Sequence, residues 1–223
     1  MTKPNTEDLP KKKKSNANDL CFKEDFKYTH NNPYHTRLSI FDEFVLTDSQ
    51  GEAYKTSWSS EVFKNDQKVE VEIGSGYGHF MMSYTQDNPD INFIGLDHRF
   101  KRSFHLAEKL NQLKMKNFRY LRARGERLGF LFGPEEVSKI YYFFPDPWPK
   151  KRHHKKRLFQ KKFLEEAHKI LAKDGQILIK TDHDGYFEWM LQELDQQDLF
   201  NIDMKTFDMR SEQSDHFLSL IHI

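Results

Sequence analysis

The stretch Lys68-Val69-Glu70-Val71-Glu72-Ile73-Gly74-Ser75-Gly76-Tyr77-Gly78 (residues 68–78) decides how the rest of the chain is read. A short run rich in valine and isoleucine predicts a strand, and it passes directly into an E-x-G-x-G-x-G loop from Glu72 to Gly78. Glycines at Gly74, Gly76 and Gly78 let the backbone adopt positive φ and approach a ligand closely, as a strand-to-helix junction at a nucleotide site requires. Outward from this junction, apolar runs alternate with stretches at helical spacing. The runs are 68–73, 91–96, 118–122, 138–144 and 176–181. Phe100, Phe104, Ala107 and Leu110 share one helical face after the second run, and Phe159, Phe163, Ala167, Ile170 and Leu171 share one before the fifth. This is the βαβ pattern of a mostly parallel α/β sheet with helices on both faces. Gly175 is expected to close the helix that precedes the fifth strand. Beyond it, Phe187, Met190, Leu191 and Leu194 predict an amphipathic helix, and a sixth strand is expected near 200–207.

The 223 residues are 37% hydrophobic and 31% charged, which excludes collagen-like, low-complexity and wholly disordered classes. The lone Cys21 excludes a disulfide scaffold or a cysteine-based zinc site. No window approaches the roughly 18 uncharged apolar residues of a spanning helix, and the N-terminus lacks the apolar run of a signal peptide. The expectation is a cytoplasmic protein with no membrane contact, present as a monomer or homodimer. Residues 1–20, with Lys11 to Lys14, read as a flexible basic tail. Residues 21–223 read as a single domain, with a cofactor half at about 55–130 and a substrate half at about 138–223. The net charge of +1 conceals a segregation: residues 97–173 carry 21 Lys and Arg against 8 Asp and Glu, and the flanking segments are acidic. A basic block of this kind is a candidate face for a polyanion, although solvated helix faces would give the same count.

The second strand ends in Asp97, 23 residues beyond Gly74, where an acid can accept hydrogen bonds from the two hydroxyls of a ribose. A dinucleotide fingerprint would place Gly or Ala where His79 stands. With that glycine absent and an acid two residues before Gly74, the loop fits S-adenosylmethionine better than NAD. A helix N-cap is the alternative role of Asp97. After the fourth strand comes Phe144-Pro145-Asp146-Pro147-Trp148-Pro149-Lys150-Lys151-Arg152-His153-His154-Lys155-Lys156-Arg157. Three prolines in five residues fix a rigid loop at the carboxyl edge of the sheet, where ligands of open α/β sheets bind. That loop carries Asp146, with Trp148 as a stacking surface for a base. His153 and His154 lie among six like charges and make a poor metal site, and Asp182-His183-Asp184 reads as a substrate contact or helix cap rather than a ligand trio. No metal is expected.

FPDPWPKKRHHKKR, the glycine loop, Asp97 and the Thr181-Asp182-His183 strand end together resemble the bacterial tRNA (guanine-N7-)-methyltransferase family over roughly residues 55–200. The proline-rich segment is highly specific; the glycine loop is shared with most S-adenosylmethionine enzymes. The resemblance implies a Rossmann-like class I methyltransferase that uses S-adenosylmethionine and methylates N7 of a guanine in the variable loop of tRNA. It implies cofactor binding by Glu72, Gly74, Gly76, Gly78, Asp97 and Asp146, with Asp146 also the catalytic acid. It implies substrate contacts by Lys150 and Asp182, and RNA contacts by Arg152, His153, His154, Lys155, Lys156 and Arg157. Two departures stand out. By spacing to Leu128, Arg124 occupies the place of the family's acid near the adenine, with Glu126 as the alternative. The family's closing T-x-x-E segment is absent, so the last strand is expected to be missing. Two other readings remain: an exocyclic-amine methyltransferase, because Asp146-Pro147-Trp148 partly echoes a D-P-P-Y loop, and a non-catalytic RNA-binding protein on the same fold.

Overall fold

The computed structural model describes residues 20–27, 33–113, 115–206 and 219–222. Apart from Leu20, the expected basic tail lies outside the described residues. The chain enters through α1 (Pro33–Leu38), a 3-10 turn, the short strand β1 (Val45–Thr47) and α2 (Asp48–Ala53). Then come β2 (Val69–Ile73), α3 (His79–Asp87), β3 (Asn92–Leu96), α4 (Phe100–Leu113), β4 (Phe118–Arg122), α5 (Leu128–Leu131) and β5 (Val137–Phe143). A 3-10 turn (Lys151–Lys156), α6 (Lys161–Ile170), β6 (Leu171–Lys180), α7 (Asp184–Leu194) and β7 (Ser219–His222) complete it. The sheet order is β1-β4-β3-β2-β5-β6-β7. Strands β1 to β6 run parallel, and β7 is antiparallel to β6. This is the mostly parallel α/β sheet expected from the alternation, and it is Rossmann-like as the resemblance implies.

The period of two along the central strands sends neighbouring side chains into different cores. Val69, Val71 and Ile73 of β2 join Ile94, Leu96, Ile140, Tyr142, Ile177 and Ile179 against α5, α6 and α7. Phe93, Phe118, Tyr120 and Tyr141 face the opposite way, against Met81 of α3 and Phe104, Leu106, Ala107 and Leu110 of α4. Gly95 of β3 leaves room for Met81, which occupies the space a Cβ would fill. The second face of β2 is unusual, for it buries Glu70 and Glu72. Glu70 accepts from the Tyr141 hydroxyl at 2.7 Å and meets Lys139 Nζ at 3.3 Å.

Three local expectations differ. Residues 202–206 are irregular and Asn201 forms only an isolated bridge, so no strand lies across the described part of 200–207. The last strand is present as β7, pairing Ile177 with Ile221 and Gln176 with His222 at the sheet edge. A four-residue strand is too short for a periodicity signal to register. Gly175 does not cap α6; Leu171 turns directly into β6, and the left-handed residue there is Asp174, φ 62°. Strand β1 went unpredicted for the same reason of length, its three residues pairing with Tyr120 to Arg122.

Candidate active site

Strand order reverses about β2, with β3 and β4 on one side and β5 and β6 on the other, and a crevice opens at their carboxyl ends. A cavity of about 380 Å³ lies there, lined at its base by Ile73 and Gly74, on one lip by Asp97, His98, Arg99 and Arg102, and on the other by Phe144, Pro145, Asp146 and Trp148. Arg124, Gly125 and Glu126, which follow β4, also line it. The fold therefore gathers Gly74, Asp97, Arg124 and Asp146 around one space, although they are spread over 73 positions of sequence.

The glycine loop takes the conformation its sequence implies. Gly74, Gly76 and Gly78 have φ of 80°, 58° and 71°. Gly76 N–H donates to Asp97 Oδ2 at 3.1 Å, and Arg99 N–H donates to Oδ1 at 2.9 Å, so Asp97 is buried and aimed into the loop. Arg102 Nη1 adds charge at 3.6 Å. Glu72, at the end of β2, is buried with Oε2 lacking any hydrogen-bond partner. Burial, and then the neighbouring Asp97 charge, push its carboxyl up to about 8. An orphaned buried carboxyl that keeps its proton at neutral pH can donate to or accept from a ligand. The glycine backbone, the paired acids and the enclosed volume fit a nucleoside cofactor such as S-adenosylmethionine.

Arg124 and Glu126 both reach this space. Burial raises the Glu126 carboxyl, opposed by its own backbone and by Arg124, and burial followed by Arg124 holds the His98 imidazole below its ordinary value against Asp97. This side of the cavity therefore carries both a guanidinium and a carboxyl.

Asp146 is largely exposed at the cavity mouth, with Arg99 Nη2 3.7 Å from its Oδ2 across the cleft. Trp148 carries the Lys156 ammonium 4.5 Å from its ring centre and His153 edge-on at 5.8 Å. Lys150 and Asp182 are exposed and outside the cavity lining, on the rim of the same sheet edge. His183 caps α7, its Nδ1 accepting from Tyr186 N–H at 3.1 Å. The basic run is a six-residue 3-10 turn with Arg152, Lys155 and Lys156 exposed and His153 and His154 half-buried.

Arg157 requires a correction. It is only 3% exposed, its Nε donates to the Pro147 carbonyl at 2.9 Å, and its guanidinium lies over Tyr186 and Trp189. A buried guanidinium does not meet a phosphate, so Arg157 leaves the set of candidate RNA contacts. The reading by charge overlooked that Leu158 and Phe159 follow at once and turn the chain into the core. Arg99, Arg102 and Phe144 were missed in turn. Arg99 and Arg102 follow Asp97 at the sheet edge, and Phe144 is the last aromatic of a four-residue run, where strand alternation ends.

A family profile described as a putative methyltransferase matches residues 66–219. A tRNA (guanine-N(7)-)-methyltransferase of Streptococcus thermophilus is 41% identical over 159 residues, 71% of this chain and 73% of that protein. The chain belongs to the tRNA (guanine-N7-)-methyltransferase family. A second member, from Geobacillus thermodenitrificans, is 37% identical over 72% of this chain and 73% of its own length. A bifunctional glycosyltransferase/methyltransferase of Fusobacterium nucleatum is 36% identical over 182 residues, which are 82% of this chain and 28% of that protein. In this family member Gly74, Asp97, Arg124 and Asp146 line one cavity, whereas Glu72, Gly76 and Gly78 lie outside its lining. Among the described residues no helix is long and apolar enough to cross a membrane.

Proposed function

We propose that this chain transfers a methyl group from S-adenosylmethionine to N7 of a guanine in tRNA. The observation that carries the reading is the meeting of Gly74 and Asp97 with Asp146 around one cavity, on a chain of this family. When bound, S-adenosylmethionine supplies a methyl group made electrophilic by its sulfonium. Glu72, Asp97 and the backbone of Gly74, Gly76 and Gly78 hold the cofactor, with Arg124 and Glu126 at its adenine end.

Guanine N7 carries an in-plane lone pair and no proton, so no side chain has to act as a base towards it. What remains for the protein is alignment, which in favourable cases lowers a barrier by roughly 7–11 kcal/mol. Asp146 accepts from guanine N1–H and the exocyclic amine, donors that adenine does not present in that arrangement, and its charge favours a base that becomes cationic. Trp148 offers a face to the base. Lys150, on the rim, donates to guanine O6 or a neighbouring phosphate, and Asp182, also on the rim, accepts from an N–H or O–H of the substrate. Arg152, His153, His154, Lys155 and Lys156 meet the tRNA backbone.

Asp146→Ala tests this assignment. Because the carboxylate is exposed, its loss should leave folding and tRNA affinity nearly intact while methyl transfer at saturating substrates falls by at least about 100-fold, the scale on which a single oriented polar group acts. Survival of turnover at the wild-type rate would remove Asp146 from its role.

A further inference from the structure

Asp146 stands in the middle of a loop that is strained on both sides. Phe144 and Trp148 have φ of 47° and 46°, left-handed for bulky residues, and such conformations persist only where the surroundings over-determine them. The near side is pinned by Phe144 N–H, which donates to the Lys180 carbonyl at 2.8 Å. The far side is pinned by Arg157, whose Nε reaches the Pro147 carbonyl at 2.9 Å, one residue beyond Asp146. The same guanidinium lies 4.7 Å from the ring centre of Tyr186 and 4.9 Å from that of Trp189, both on α7. Tyr186 continues the contact to β5, its hydroxyl 3.2 Å from that of Tyr142, a residue of the cavity wall.

We propose that Arg157 is a positioning residue: by clamping the Pro147 carbonyl against the aromatic face of α7, it fixes the Asp146 carboxylate at the cavity mouth. The clamp also relates Asp146 to Asp182, since α7 begins two residues after Asp182. Arginine suits the place because one planar group both donates along its edge and lies flat on rings, whereas a lysine ammonium can donate but has no face to stack. The inference rests on the role given to Asp146 above.

Three variants test it: Arg157→Met, Arg157→Lys and Trp189→Leu. The Met variant should lose about 100-fold in kcat, the scale of a misplacement by 1 Å, with KM for tRNA and for S-adenosylmethionine and the salt dependence of tRNA binding unchanged. The Lys variant should recover part of that loss. Amide exchange should accelerate at Phe144, whose N–H is bonded to the Lys180 carbonyl, and at Asp146, Trp148 and Lys150, the other loop residues that carry an amide hydrogen, and stay as in the wild type along β5 and β6. If Arg157→Met does not fold, Trp189→Leu, which removes one ring of the clamp, should show a smaller kcat loss with the same exchange pattern. A lower salt slope with kcat intact would make Arg157 an RNA contact and overturn the proposal. Unchanged loop exchange in every variant, or acceleration spread over the whole sheet, would overturn it too. A wild-type protein that transfers no methyl group to tRNA would overturn the function instead, and the exchange comparison would still decide the clamp.

Discussion

At the scale of single residues, Glu72 is a carboxyl that burial and the neighbouring Asp97 hold far from its ordinary titration range. Its native carboxyl keeps a proton up to about pH 8, whereas the unfolded chain releases it near 4.5. Between those values the native state binds more protons than the unfolded state, so stability falls as pH rises through the window and levels off above it. Glu72→Gln is neutral at every pH. In cofactor-free protein it should be more stable than the wild type at pH 8.5 by an amount on the order of a few kcal/mol, and close to the wild type at pH 4.5. Urea denaturation at the two values measures this, and equal shifts at both would contradict the assigned environment. Glu72 could be recognised in the sequence as an acid before a glycine loop. That its Oε2 is orphaned could not, because the orphaning comes from the packing of β2 between β3 and β5. Arg157 shows the converse: its charge suggested the surface, and the rings of α7, some thirty positions away in sequence, put it in the interior.

Among elements, the long alternation carried the information. β2, β3, β4 and β5 fall within a residue or so of their expected bounds because each is a dense apolar run between turn residues. Short edge strands lack that signal, and β1 and β7 take their identity from neighbours that already exist. The basic run was legible as a charge cluster, yet its form as a 3-10 turn follows from the rigid prolines before it and the buried Arg157 after it. Arg152 and Lys155 are exposed on this turn. Replacing both with alanine should weaken tRNA binding and reduce the slope of log affinity against log salt by about one for each phosphate left without its cation. An unchanged slope would show that this turn is not the RNA face.

Over the whole molecule, the segment before β2 is joined to the sheet by buried charge. Arg122 Nη2 of β4 meets Asp48 Oδ2 of α2 at 3.4 Å, and both side chains are nearly inaccessible. Arg127 binds Glu52 and the carbonyls of Cys21 and Lys23, with Phe130 against its face at 3.6 Å. Removing one partner from such a pair strands the other without water, so Asp48→Ala should cost about 3–5 kcal/mol in denaturant unfolding. A loss below about 1 kcal/mol would mean that the pair does not hold this segment. The segregation of charge in the sequence also acquires a place. The basic middle third supplies both lips of the cavity, Arg99 and Arg102 on one and the 151–156 turn beside the other, so a polyanion and the reacting base can be engaged at one edge of the sheet.

The central claim is the identity of the atom that receives the methyl group. The most direct test incubates the wild-type protein with methyl-labelled S-adenosylmethionine and bulk tRNA, digests the RNA to nucleosides and identifies the labelled one. The account predicts that the label is recovered as N7-methylguanosine. Label on an exocyclic amine or a pyrimidine carbon, or cofactor binding without transfer to tRNA, would contradict it.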